Sequence, residues 1–179
     1  MLKKVKDYSD HLLVTIAALM GTIFYALPIM RELPIEAQGN WMSMFEFAII
    51  PQTDTGDIAT CALQELGMTS SPFLGIFLLM CALIVVSIAV QAVKRPRILN
   101  IVRLAGSLVA IIWEIALIAK VQTLTTLDYV IDDVVTNAQF GPQTLAVVLM
   151  ILMWVIVLLA SVAGLGNLKY GYLCDEKDY

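Results

Sequence analysis

Four stretches of this chain are apolar over roughly the length of a bilayer: residues 11–30, 73–93, 98–121 and 143–165. A hydrocarbon core of ~30 Å takes about 20 helical residues at ~1.5 Å each. Inside lipid every backbone N–H and C=O must be satisfied within its own segment or a closed barrel, so such runs read as helices. The sequence therefore predicts an all-α integral membrane protein with four transmembrane helices in an antiparallel bundle. The long polar interval at 31–72 is expected to form an extracytoplasmic cap, and 122–142 a second polar loop at the same end.

Composition agrees. The chain is 60% hydrophobic and 15% charged, with mean hydropathy +0.85, against about 45–50% apolar and about 25% charged in soluble domains. No low-complexity tract or long linker divides it, so residues 1–179 are expected to form one domain. The net charge of −4 offers no basic face for nucleic acid.

Basic residues set the expected orientation. Lys3, Lys4, Lys6, Lys94, Arg95, Arg97, Arg103, Lys169 and Lys177 fall on one side of the four runs. Only Arg31 and Lys120 fall near the other. The positive-inside rule then places both termini in the cytoplasm, in a multi-pass protein of the cell membrane. The basic N-terminus also resembles a signal peptide. Its apolar run is long for one, however, and Arg31-Glu32-Leu33-Pro34 is no small-residue cleavage site, so an uncleaved first span is expected.

Within the polar intervals, residues 41–50 are apolar but too short to span, and read as an interfacial or re-entrant segment with Trp41 at headgroup level. A short helix is expected from about 57 to 66, stopped by Gly67. Ser71 and Pro72 are placed to open the second span.

Helices in lipid associate through small residues and polar contacts, because lipid tails are as apolar as leucine. The inward stripes are therefore expected at His11, Thr15, Ala18, Thr22 and Tyr25 on the first run, and at Arg103, Ser107, Ala110 and Glu114 on the third. Ala17 with Gly21, and Ala160 with Gly164, form small-xxx-small pairs.

Glu114 is the charge this chain can least easily hide. An intramembrane carboxylate must be partnered, protonated or faced with water. One reading makes it an interhelical clasp to Thr22 or Tyr25, the other a proton- or cation-binding site of a small transporter. The candidate intramembrane polar cluster is thus Glu114, Ser107, Arg103, Thr22, Tyr25 and Thr15. Lys120, six positions on, faces away and is expected to snorkel to the interface. Lys94, Arg95 and Arg97 form a basic turn suited to anionic lipid headgroups, besides fixing topology.

Other chemistry finds little support. Cys61, Cys81 and Cys174 are far apart and suggest no disulfide framework. His11 is the single histidine and cannot complete a zinc site with scattered cysteines. The nine methionines read as packing residues. Nucleotide, serine-hydrolase and zinc-protease motifs are absent from the sequence. No catalytic residue, metal or cofactor is expected.

With short tails, a long first loop carrying Trp41 and Cys61, and a shorter second loop, the plan resembles the claudin-type tetraspan arrangement. That family's first loop carries Gly-Leu-Trp and two cysteines, and this chain has one of each key residue, twenty positions apart. It is also similar in length and topology to the four-span membrane thiol oxidases, which need two outer cysteine pairs that are missing here. Topology alone assigns no family. The functional expectation is a non-enzymatic accessory, assembly or interaction subunit that binds a membrane-protein partner or a second copy of itself. The alternative is a small proton- or cation-coupled transporter using Glu114.

Overall fold

The computed structural model describes residues 2–33, 40–49, 58–92, 97–131 and 134–169. In order, the elements are α1 (Leu2–Phe24), β1 (Pro28–Leu33), β2 (Trp41–Ser43), α2 (Met44–Ile49), α3 (Ile58–Glu65), α4 (Ser71–Ala92), α5 (Arg97–Val121), β3 (Thr126–Ile131), β4 (Val134–Pro142) and α6 (Thr144–Lys169). The protein is mostly helical, with three helices among the described residues long and apolar enough to cross a membrane: Ser71–Val90, Arg97–Val121 and Thr144–Leu165.

The first apolar run does not match its expected bounds. Its helix stops at Phe24, leaving the shorter apolar stretch Leu12–Phe24. Pro28 is the cause. It has no N–H to continue the ladder, and it pushes Leu27 out of helical conformation. The chain closes with tight bonds from Ala26 N–H to Ile23 O (3.0 Å) and from Leu27 N–H to Phe24 O (2.9 Å), then turns into β1.

The all-α expectation is also corrected. A four-stranded antiparallel sheet, in the order β2-β1-β4-β3, joins the two polar intervals. In β1, Arg31 stands opposite both Trp41 and Gly141. The interval 122–142 is a hairpin rather than a loop, with Ile131 opposite Val134. Its side chains alternate: Leu127 and Tyr129 are buried while Asp128 is exposed, and Ala138 and Phe140 are buried while Asn137 and Gln139 are exposed. That is the period of a half-buried strand. The structure at this end of the long helices, called the cap below for its place alone, thus draws on both intervals, not on the longer one alone.

Two short helices complete it. Ser43 and Glu46 form a capping box at α2: Ser43 N–H donates to Glu46 Oε2 (2.7 Å), and Glu46 N–H donates to Ser43 Oγ (3.2 Å). The apolar segment at 41–50 is therefore a strand followed by a helix turn, with α2 seated on α4. Phe47 packs on Phe73 (ring centroids 5.1 Å) and Phe45 on Phe77 (5.3 Å). Trp41 is half exposed. As expected, α3 stops at Gly67, which takes φ +62°. Its N–H donates to Gln64 O (3.0 Å) and that of Met68 to Leu63 O (2.9 Å), the paired bonds of a Schellman stop.

The four long helices close a ring. α1 lies beside α4 and α6, and α5 also lies beside α4 and α6, so α1 and α5 face each other across the diagonal. Glycines set the close approaches. A Cβ on Gly21 would stand 2.9 Å from Trp154 Nε1, and one on Gly106 would stand 2.6 Å from Leu83 Cδ2. One continuous core runs from Val157, Met80 and Ala110 between the helices to Ile29, Met30 and Phe140 under the sheet.

Candidate functional site

The ring does not present the polar outer surface of a water-soluble protein. Its outward positions are large and apolar on all four helices: Leu13, Ile16 and Ile23 on α1, Leu78 and Val85 on α4, Ile112 and Ile115 on α5, Leu152 and Leu159 on α6. Its buried positions include Ser87, Asn100, Arg103, Ser107, Glu114 and Ser161. The candidate site is this set of polar side chains within an otherwise apolar core.

α5 supplies most of it. Arg103, Ser107, Ala110 and Glu114 fall on one face at steps of three and four, and all are buried. Arg103 and Glu114 lie three helical turns apart, about 16 Å along the axis, so they form no ion pair. The expected cluster is in fact two separate levels.

At the first level, the Arg103 side chain leans toward the start of α5, as helical side chains do. Its Nε donates to Ser161 Oγ on α6 (2.8 Å), and its Nη2 donates to Asn100 Oδ1 one turn back (3.0 Å). Ser161 passes its own proton to Val157 O (2.7 Å). Nη1 has no hydrogen-bond partner among the described residues. Ser107, one turn on, donates to Leu104 O (3.1 Å) and joins neither level.

At the second level, Glu114 is fully buried, and neither carboxylate oxygen has a partner among the described residues. The expected clasp is not made. Thr22 turns its hydroxyl back to Ala18 O on its own helix (3.0 Å), and Tyr25 donates to Phe73 O on α4 (2.8 Å). The diagonal placement of α1 and α5 explains this, because α1 finds its polar partners on itself and on its neighbour α4. Tyr25 is still near enough to Glu114 for electrostatic interaction. Trp154 is fully buried on α6, and its indole N–H, like Ser87 Oγ on α4, has no hydrogen-bond partner among the described residues. Thr15 is half-buried on α1.

Of the basic turn, Lys94 and Arg95 lie outside the described residues, and Arg97 is exposed at the first position of α5. The side chain of His11 and the whole of Cys174 also lie outside them. Lys120 is exposed. The sequence reading missed Asn100, Ser161 and Trp154. Asn100 was findable, since it sits three positions before Arg103 on the same face. Ser161 and Trp154 belong to α6, whose orientation no sequence period revealed.

On the cap, Asn40 Nδ2 donates to Glu32 Oε2 (2.8 Å) and to Tyr129 OH (3.0 Å), tying the approach to β2 to β1 and β3. Burial, and secondarily the Glu32 carboxylate, raise the Tyr129 phenol above its ordinary pKa. Among the described residues no group of three or more His, Cys, Asp and Glu side chains is arranged to hold a metal. The chain matches no family model, no curated protein and no solved structure.

Proposed function

We propose that this chain is a non-enzymatic, multi-pass protein of the cell membrane that serves as an accessory, assembly or interaction subunit. The observation that supports it most is the outer surface of the four-helix ring, large and apolar on every helix, around an interior that holds the buried polar side chains of α5. α1 crosses with the other three, its charged first turns carrying Lys3, Lys4 and Lys6 in the headgroup region. Both termini are cytoplasmic, and the sheet with α2 and α3 stands outside. That cap carries Leu33, Trp41, Ile49 and Val135 as exposed apolar side chains, a surface suited to a protein partner or a second copy.

Affinity purification of the tagged full chain from its native membrane tests this reading. A stoichiometric partner is expected to co-purify, and Trp41→Ala with Val135→Asp is expected to release it. A chain recovered alone under conditions that preserve other membrane complexes would count against it.

The second reading is a small proton- or cation-coupled transporter carried by Glu114. Its support is the fully buried carboxylate with no hydrogen-bond partner among the described residues. Glu114→Gln separates the two: it abolishes ion-coupled flux in the carrier and leaves partner capture intact in the accessory subunit.

A further inference from the structure

Arg103 presents a problem that its neighbours do not solve. A guanidinium stays charged at any ordinary pH. This one is 2% exposed, and its two hydrogen-bond acceptors, Ser161 Oγ and Asn100 Oδ1, are both neutral. Nη1 has no hydrogen-bond partner among the described residues, and no carboxylate among them reaches the guanidinium. A buried cation without a counter-charge is costly, so a group held in this state implies an anion.

The surroundings are built to present it. Ser161 is locked by its bond to Val157 O and offers Arg103 only a lone pair. Asn100 is buried and seated by Gly164, where a Cβ would stand 3.0 Å from Asn100 Nδ2. These two bonds fix the plane of the guanidinium and leave the remaining N–H groups for a ligand with paired oxygens. The depth also fits. The guanidinium lies at the level of Asn100, three positions and about 4.5 Å into α5, where the unpaired backbone N–H groups of the helix start add positive potential.

We propose that Arg103, held by Asn100 and Ser161, is the seat of a phosphoryl oxyanion at the cytoplasmic face of the membrane, donated by the headgroup of an anionic phospholipid. The anion supplies the missing counter-charge and fastens α5 to α6 at that end. This rests on the membrane reading above. Extraction of native membranes with alkaline carbonate tests that reading separately, because release of the chain without detergent would sink it.

The test uses the full chain, purified and delipidated in detergent. Its thermal midpoint is followed while phosphatidylglycerol, diacylglycerol or inorganic phosphate is added. Phosphatidylglycerol is expected to raise the midpoint and diacylglycerol to leave it unmoved. In Arg103→Gln the apparent affinity for phosphatidylglycerol is expected to fall roughly tenfold, the weight of one charge-assisted hydrogen bond. Ser161→Ala keeps the charge, loses the bond that orients it, and is expected to fall between the two; it serves if Arg103→Gln does not fold. Inorganic phosphate acting as strongly as the lipid would keep the oxyanion seat and overturn its lipid source. An equal response to phosphatidylglycerol in wild type and variant, or none in either, would overturn the proposal.

Discussion

Tyr25 donates its phenolic proton to the carbonyl of Phe73 over 2.8 Å, in a fully buried bond between the end of α1 and the first turn of α4. The ring of Tyr25 also packs beside Phe77 (centroids 5.8 Å). Two neighbouring helices are fastened here by residues 48 positions apart in sequence, directly beneath the cap. Tyr25→Phe keeps the ring and removes the bond. It is expected to destabilise the protein by about 0.5–1.5 kcal/mol, the usual net worth of one hydrogen bond. A denaturant midpoint unchanged from wild type would show that the bond does not form in solution.

Gly21 lets α1 approach the indole of Trp154. A Cβ there would stand 2.9 Å from Nε1 and 3.0 Å from Cε2, both in a fully buried, rigid ring. Gly21→Val should therefore overpack the seam between α1 and α6, at a cost of about 1–3 kcal/mol. The check is the thermal midpoint in detergent, together with Gly21→Val/Trp154→Phe. The double variant is expected to recover part of the loss.

Glu114→Gln should be tolerated, with a loss of stability below about 2 kcal/mol. Neither oxygen makes a hydrogen bond among the described residues, so the amide gives up none of them, and a potential buried charge is removed. A loss above about 2 kcal/mol would reveal a partner for the carboxylate in the membrane.

Ser43→Ala removes the hydroxyl that caps α2 by accepting from Glu46 N–H and that donates to Glu46 Oε2. A cost of about 1 kcal/mol is expected. The loss should appear as faster amide hydrogen exchange around Phe45–Ala48 before any change in the interiors of α4, α5 and α6.

Tyr129 gives a pH dependence. Its folded pKa is raised by burial first and by Glu32 second. For an acid raised on folding, the contribution is complete below the unfolded pKa of about 10 and is lost as pH climbs through the folded value. Stability of the cap should therefore fall above about pH 10. In Tyr129→Phe that alkaline fall should be reduced, as read by the thermal midpoint between neutral and alkaline buffers. An identical fall in both proteins would place the cause elsewhere.

The three long apolar helices were legible because their own composition leaves them little choice. An apolar run of bilayer length must satisfy its own backbone, and α4, α5 and α6 follow from that alone. The same holds for the inward face of α5, since Arg103, Ser107 and Glu114 repeat at helical spacing. Gly67 announced the end of α3 by the same local logic, needing only a left-handed backbone. The sheet was less legible. Its alternation at Leu127, Asp128 and Tyr129 was present in the sequence but stood between two helices in an interval that read as polar. β1 was hidden inside an apolar run, where periodicity does not separate strand from helix. Strand pairing joins residues such as Glu32 and Phe140 that are distant in sequence, and no local pattern specifies which edges meet.

Local sequence was thus enough for the long apolar helices and for the face that α5 turns inward. Only the tertiary structure decided that both polar intervals build one cap, that α1 and α5 stand diagonally apart, and that Glu114 and Arg103 occupy separate levels. The physical reason is that burial and helical period are properties of a segment, whereas a hydrogen-bond partner is a property of whichever neighbour packing brings within 3 Å or so.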